Sequence, residues 1–264
     1  MPARIPKLVA DEIESELIAF VRSVARYLDA GDPLIMEWMD RLEPGTRGGG
    51  ARSASLLRMA EVVHLTGDFE YFERLITRAE TAGAHWDSIL NGRIAAYHNW
   101  GMFSRVQTLI KDFETHNLDW YLFLTGVASS GAFSVLQKAL ASAAKMNIDL
   151  SAIDQIEDVK MMAHKAFEFG IPDSEYARVL DLAGEMLRQR RLFWLDRSPR
   201  LLFDEEMDCH WVQFRIAVSP EDAADMTGEL ISLLVEADLD RLPINVSFYG
   251  ALHEDGSLET ADAN

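Results

Sequence analysis

The sequence predicts a mainly α protein: a solenoid of about five helical hairpins, followed by a small C-terminal α/β unit of strand, helix and strand. Three observations predict it. Glycines recur at 31, 67, 101, 131 and 170 within a helical apolar pattern. After residue 209 the apolar period switches from helical to alternating. And 48% of the 264 residues are hydrophobic, enough to bury a sizeable core.

The central hairpins carry the clearest signal. Gly67-Asp-Phe69, Gly101-Met-Phe103 and Gly131-Ala-Phe133 lie 34 and 30 residues apart. Aligned on the glycine, the following positions fall into register. They are Phe72, Val106 and Leu136; then Leu75, Leu109 and Ala139; then Ile76, Ile110 and Leu140; then Ala79, Phe113 and Ala143. This spacing forms one apolar stripe on a helix. Backwards, Ala60, Ile94 and Leu124, then Val63, Tyr97 and Val127, form the stripe of a helix that ends at the glycine. Glycine closes a helix in the left-handed conformation, so each unit reads as helix, turn, helix.

Two looser copies flank these three. Around Gly170 the positions are Ala163 and Ala166, then Tyr176, Val179, Leu182, Ala183 and Met186. Around Gly31 they are Val24 and Tyr27, then Met36 and Met39. The glycine spacings are 36, 34, 30 and 39 residues, and the repeats cover residues 10–192.

A unit of this length with Gly-x-aromatic between its helices resembles the tetratricopeptide and pentatricopeptide repeat families. The stretch Ile94-Ala-Ala-Tyr97, Gly101-Met-Phe103, Val106 carries the likeness best. The resemblance implies stacked hairpins with a concave binding face lined by the first helix of each pair. It places Arg58, Glu61, Asn91, Arg93, Asn99, Lys160 and Lys165 on that face. Hairpins of this kind must cover one another's stripes, so Phe69, Phe103 and Phe133 are expected as packing wedges. Pentatricopeptide arrays commonly bind single-stranded RNA, but a phosphate track needs a basic lining.

The charge does not supply one. The chain carries 25 Lys and Arg against 43 Asp and Glu, a net charge of −18. Residues 201–264 hold only Arg215 and Arg241 against fifteen acidic residues, a net of −13, which leaves −5 for residues 1–200. The shift puts a boundary near residue 200: a helical-repeat domain over 1–200, an acidic α/β unit over 201–253 and a disordered tail over 254–264. Just before the boundary stand Arg188, Arg190, Arg191, Arg197 and Arg200, with Phe193 and Trp194 among them. These arginines read either as a helix C-terminus facing the negative end of a dipole or as an anion-binding patch. The run Asp204, Glu205, Glu206 and Asp208 reads as a solvated face or as a patch for a basic partner.

In the C-terminal unit, Val212, Phe214, Ile216 and Val218 alternate with Trp211, Gln213, Arg215 and Ala217, the pattern of a half-buried strand. Ser219-Pro220-Glu221-Asp222 opens a helix: serine caps, proline takes the first position and the acids meet the positive dipole end. That helix carries Ala223, Met226, Leu230, Ile231, Leu233 and Leu234. Ile244, Val246 and Phe248 then alternate as a second strand, parallel to the first if they share a sheet. Two strands are marginal, so a third comes from Leu201-Leu-Phe203 or from a partner chain. A paired edge would be a homodimer interface or a docking site.

No catalytic, cofactor or metal site emerges. One cysteine excludes a disulfide framework and a four-thiolate zinc site within the chain. The seven histidines contain no pair at helical metal spacing. His64 and His98 share one phase of the repeat; with Glu61 they could hold a metal, but partly buried polar contacts are the favoured reading. Cys209 and His210 are neighbours on a strand and point to opposite faces. The loop Gly45-Thr-Arg-Gly-Gly-Gly50 lacks the ending of a phosphate loop and reads as a linker. The strand-to-helix turn at Val218 has no glycine, so no nucleotide fingerprint exists. No apolar run approaches the ~20 residues of a membrane span, and the acidic start of the chain argues against a signal peptide.

The expected function is a cytoplasmic, non-enzymatic interaction protein that binds a basic protein or peptide, without cofactor. Its candidate contact residues are Arg58, Asn91, Arg93, Asn99, Lys160, Lys165, Arg188, Arg190, Arg191, Glu205, Glu206 and Asp208. Neutralising, chaperone and regulatory roles all fit. The alternatives are a nucleic-acid-binding repeat protein and an enzyme with a site between its domains.

Overall fold

A computed structural model describes residues 6–21, 24–48, 51–111, 120–148, 150, 156–195, 199–253 and 257–259. The described residues are mainly helical, with one three-stranded sheet near the C-terminus. The chain divides into two compact units, Met1–Ala96 and Tyr97–Asn264. No described helix is long and apolar enough to cross a membrane.

The first unit holds α1 (Pro6–Val21), α2 (Pro33–Thr46), α3 (Arg52–His64), α4 (Phe69–Thr81) and most of α5 (Trp86–Asn99). The Asp32 carboxylate caps α2 by accepting the Leu34 N–H at 2.8 Å, and Pro33 takes the first turn. Helix α2 buries Ile35, Trp38 and Leu42. The expected inward pair Met36 and Met39 is therefore one position out of phase, and Met36 is exposed. Trp38 sets the phase: its indole N–H donates to Glu16 Oε2 at 2.7 Å, and Arg41 clamps the same carboxylate with two bonds of 2.8 Å. The segment Gly45-Thr46, read as linker, is the last turn of α2, and residues 49 and 50 lie outside the described residues.

Four of the five expected glycine turns form. The exception is Gly31: residues 24–29 before it are not helical and it does not take a positive φ, so Val24 and Tyr27 are not the end of a helix. Gly67, Gly101, Gly131 and Gly170 have φ of +77°, +63°, +70° and +65°. At Gly101 the Met102 N–H returns to the Tyr97 carbonyl, and at Gly131 the Ala132 N–H returns to Val127. The stripe residues Ala60, Val63, Phe72, Leu75, Ile76 and Ala79 are buried, as are Ile94, Tyr97, Val106, Ile110, Leu124, Val127 and Leu136. Phe113 lies outside the described residues. Phe103 and Phe133 are fully buried wedges, while Phe69 is half-buried.

The second unit adds α6 (Phe103–Lys111), α7 (Trp120–Ser129), α8 (Phe133–Lys145), α9 (Ile156–Glu168) and α10 (Asp173–Gln189). Helix α10 does not simply close a fifth hairpin. A linear stack joins each hairpin only to its neighbours, but α10 packs on α6, across the α7–α8 hairpin. It runs over two glycine turns and serves both alike. A Cβ on Gly101 would lie 2.4 Å from Gly184 Cα, and one on Gly131 would lie 2.1 Å from the Tyr176 ring. Asp181 accepts the Ser104 N–H at 3.1 Å, at the start of α6. Asp173 accepts the Ser134 N–H at 3.2 Å and the Ser134 hydroxyl at 2.5 Å, at the start of α8. These carboxylates replace the missing caps, because Met102 and Ala132 cannot cap their own helices. In the first unit Asp68 caps α4 itself by accepting the Tyr71 N–H at 2.9 Å.

The pairs Asp173–Tyr176 and Asp181–Gly184 are eight residues apart on α10, which rises about 12 Å over that span. Packed helices sit about 8–10 Å apart, so one helix can meet successive turns.

The sheet has the order β1 (Arg200–Asp204), β2 (Cys209–Ile216), β3 (Ile244–Gly250). Leu201-Leu-Phe203 is thus the third strand, antiparallel to β2. Strands β2 and β3 run parallel, with Val212 opposite Val246 and Phe214 opposite Phe248. Helix α11 (Pro220–Glu236) crosses between them and starts as predicted, with Ser219 Oγ accepting the Asp222 N–H at 3.1 Å. It buries Ala223, Met226, Leu230 and Leu234, but Ile231 and Leu233 of the expected apolar set are exposed. On β3 the Phe248 N–H donates to Thr227 Oγ1 of α11 at 3.0 Å, and Gly250 abuts the Ser219 backbone. In the 254–264 tail, the Glu259 N–H donates to the Ala251 carbonyl at 2.8 Å. Its other residues, apart from 257 and 258, lie outside the described residues.

Candidate partner-binding surface

The basic residues expected at a binding face are engaged within the chain. Arg58 contacts Glu14 at 2.7 Å and also Glu61. Arg93 contacts Glu73 at 3.0 Å, Lys160 contacts Glu157 at 2.6 Å and Lys165 contacts Glu168 at 2.9 Å. Asn91 and Asn99 are half-buried, and Asn99 Oδ1 lies 3.4 Å from His98 Nδ1. Arg58, Asn91 and Arg93 belong to the first unit, the remaining candidates to the second.

The arginine stretch also turns inward. Arg188 donates to the Trp100 carbonyl at 2.5 Å and the Gly101 carbonyl at 3.0 Å, and pairs with Glu185 at 2.5 Å. It therefore caps the carboxyl end of α5, a helix remote in sequence from its own. Arg190 pairs with Glu229 of α11 at 2.5 Å. Arg191 is exposed in a left-handed conformation, φ +55°. Phe193 and Trp194 are core: Trp194 bridges to Ile216 and stacks on Phe103 with ring centres 6.0 Å apart. Arg197 lies outside the described residues.

The acidic residues turn outward. Glu205, Glu206 and Asp208 are exposed on the four-residue connection between β1 and β2. Asp204 shapes this turn by accepting the Glu206 and Met207 N–H groups, each at 3.0 Å. Among the described residues no Lys or Arg lies within ion-pair distance of Glu205, Glu206 or Asp208. The Lys165 ammonium is the nearby cation, held over the Phe203 ring at 5.2 Å. Its pKa is raised first by the hydrogen bond to Glu168, with Asp208 and Glu205 adding to the Glu168 charge. Beside it on α9, Phe167 is 77% exposed.

Two buried histidines lie in the second unit. His210 sits among Phe133, Phe169, Tyr176 and Phe203, with ring centres 5.5–6.1 Å away. Neither of its ring nitrogens has a hydrogen-bond partner among the described residues, and burial lowers its pKa to about 4. His98 packs edge-on against Trp194 at 5.1 Å, and burial likewise lowers its pKa to about 4. Burial, then Asp204 and Asp208, raise the pKa of the Cys209 thiol, which disfavours the thiolate a nucleophile needs. Among the described residues no three His, Cys, Asp or Glu side chains gather as metal ligands.

Sequence reasoning missed Asp173 and Asp181 as caps and the outward side of α11 as surface. The only sequence signal for the latter was surplus: α11 has more apolar residues than one face can bury. The chain matches no protein-family model, no curated protein and no solved structure.

Proposed function

We propose that the chain is a non-enzymatic interaction protein that holds a basic protein or peptide on the acidic surface of residues 201–253. One observation carries this reading: the cations expected at a binding face are paired within the chain, while the acids at 205, 206 and 208 lie exposed beyond ion-pair distance of any cation among the described residues. Arg58, Arg93, Lys160, Lys165, Arg188 and Arg190 all meet carboxylates of the same chain. Glu205, Glu206 and Asp208 form no ion pair among the described residues; Lys165, bonded to Glu168, is the cation whose charge Asp208 and Glu205 feel. The field beyond the surface is then set by the free anions, which attract cationic partners and repel phosphate backbones. The helical hairpins serve as scaffold, with α10 bracing the turns at Gly101 and Gly131. A cytoplasmic setting suits the single thiol.

The test compares wild type with Glu205→Gln/Glu206→Gln/Asp208→Asn in affinity capture, followed by association kinetics of the recovered proteins against salt. The reading expects partners enriched in basic proteins, loss of them on the triple variant and association that slows as salt rises. A recovered set with no basic bias, unchanged by the variant, overturns it.

A further inference from the structure

The solvent side of α11 is divided lengthwise. Ala224, Gly228, Ile231 and Val235 are exposed and recur at the helical spacing of one stripe. Asp225, Glu229, Ser232 and Glu236 are also exposed and form a second stripe, displaced by one residue, about 100° around the axis. The buried stripe of Ala223, Met226, Leu230 and Leu234 accounts for the attachment of α11 to its own unit, so neither outer stripe is needed for that. Ile231 and Val235, one turn apart, are 53% and 55% exposed. A β-branched pair set this far into water on a helix is costly to leave uncovered. Of the neighbouring acids, Glu229 is held by Arg190. Asp225 and Glu236 have no cation within ion-pair distance among the described residues.

We propose that this outer face of α11 is the docking site for a basic amphipathic helix of a partner protein. The partner's apolar stripe would cover Ile231 and Val235, and its lysines or arginines would face Asp225 and Glu236. Charge decides between occupants. A second copy of this chain would bring one row of carboxylates against another, which is repulsive in a symmetric pair. A neutral apolar helix would leave both carboxylates partly desolvated and unpaired. A basic helix covers the apolar stripe and pairs the acids in one geometry. The proposal rests on the reading above that the partner is cationic, and it adds a second contact surface and the shape of what binds there.

The test is a titration of the isotope-labelled full-length protein with a helical Lys/Leu amphipathic peptide of about 18 residues. The same peptide in scrambled order and with Glu for Lys serve as controls. The expected result is amide shifts centred on Asp225, Ile231, Val235 and Glu236 for the amphipathic basic peptide alone. Ile231→Ser/Val235→Ser and Asp225→Lys/Glu236→Lys should each weaken binding about tenfold or more. These residues are exposed, and unchanged melting curves establish that the variants fold. Equal binding of the scrambled peptide, undiminished binding by either double variant, or no binding by wild type overturns the proposal. Shifts confined to Glu205, Glu206 and Asp208 overturn the α11 site but leave the cationic-partner reading standing. That reading falls separately, by the triple variant at 205, 206 and 208.

Discussion

Gly101 and Gly184 meet backbone to backbone: a Cβ on Gly184 would lie 2.0 Å from the Gly101 carbonyl oxygen. Gly184 is inside α10, where alanine is intrinsically better by about 1 kcal/mol. The close approach overrides that preference. Gly184→Ala is expected to destabilise the protein by about 3 kcal/mol, since only backbone can yield. Gly228→Ala, also inside a helix but with open space around it, is expected to stabilise by up to about 1 kcal/mol. Urea unfolding of the two variants checks the opposite signs.

The caps supplied by α10 give a second expectation. Asp181→Ala and Asp173→Ala each remove the side-chain carboxylate that accepts an N–H at the start of α6 or α8, at a cost of about 0.5–2 kcal/mol. Asp173 should be the costlier, because it also accepts the Ser134 hydroxyl. A double-mutant cycle of Asp173→Ala with Ser134→Ala should give a coupling energy of about 0.5 kcal/mol or more.

Arg188 is expected to be structural. Arg188→Met leaves the Trp100 and Gly101 carbonyls without their charged donor and should cost about 1.5–3 kcal/mol. Arg188→Lys should recover only part, since one ammonium cannot reproduce the fork that reaches both carbonyls and Glu185. Thermal melts of the pair measure this directly.

Acid should unfold the protein through its histidines. His64, His98 and His210 each have a pKa lowered by burial from 6.5 to about 4. Below about pH 6.5 the unfolded chain takes up protons that the fold refuses, so the histidine contribution to stability falls with pH and levels off below about pH 4; the carboxylates of Glu16 and Glu185, held low by Arg41 and Arg188, add their own loss at lower pH. Each histidine accounts for roughly 3 kcal/mol across that window. His210→Phe, which keeps a ring among Phe133, Phe169, Tyr176 and Phe203, should make the urea midpoint less sensitive to acid. A slope identical to wild type would contradict the neutral, buried state of this imidazole.

The helices and the glycine turns at 67, 101, 131 and 170 were legible because their signals are local. A glycine with positive φ and apolar residues three and four apart can be read within a few turns of chain, and Ser219-Pro220 announces α11 in the same way. The caps at Ser104 and Ser134 were not legible. Their acceptors, Asp181 and Asp173, are 77 and 39 residues away, and an aspartate on a helix surface has no mark of what it will meet. The arginines 188 and 190 were visible as a cluster, but that they turn inward depends on the Trp100 carbonyl and on Glu229, which no spacing connects to them. The phase of α2 failed for a related reason, since the Trp38–Glu16 bond between two helices sets it. On the candidate surface, the acids at 205, 206 and 208 could be read as charge alone. That Lys165, the cation near them, is bonded to Glu168 instead is a property of the folded arrangement.

The position of α10 in the chain has a consequence for how the protein is made. Helices α6 and α8 emerge from the ribosome with bare amino ends and with glycine turns that have nothing to press against. The residues that complete them, Asp173, Tyr176, Asp181, Gly184 and Arg188, are synthesised last of this set. The native contacts that complete the early helices of this unit thus become available only after a later helix has been made, which favours cooperative assembly over sequential addition of finished hairpins.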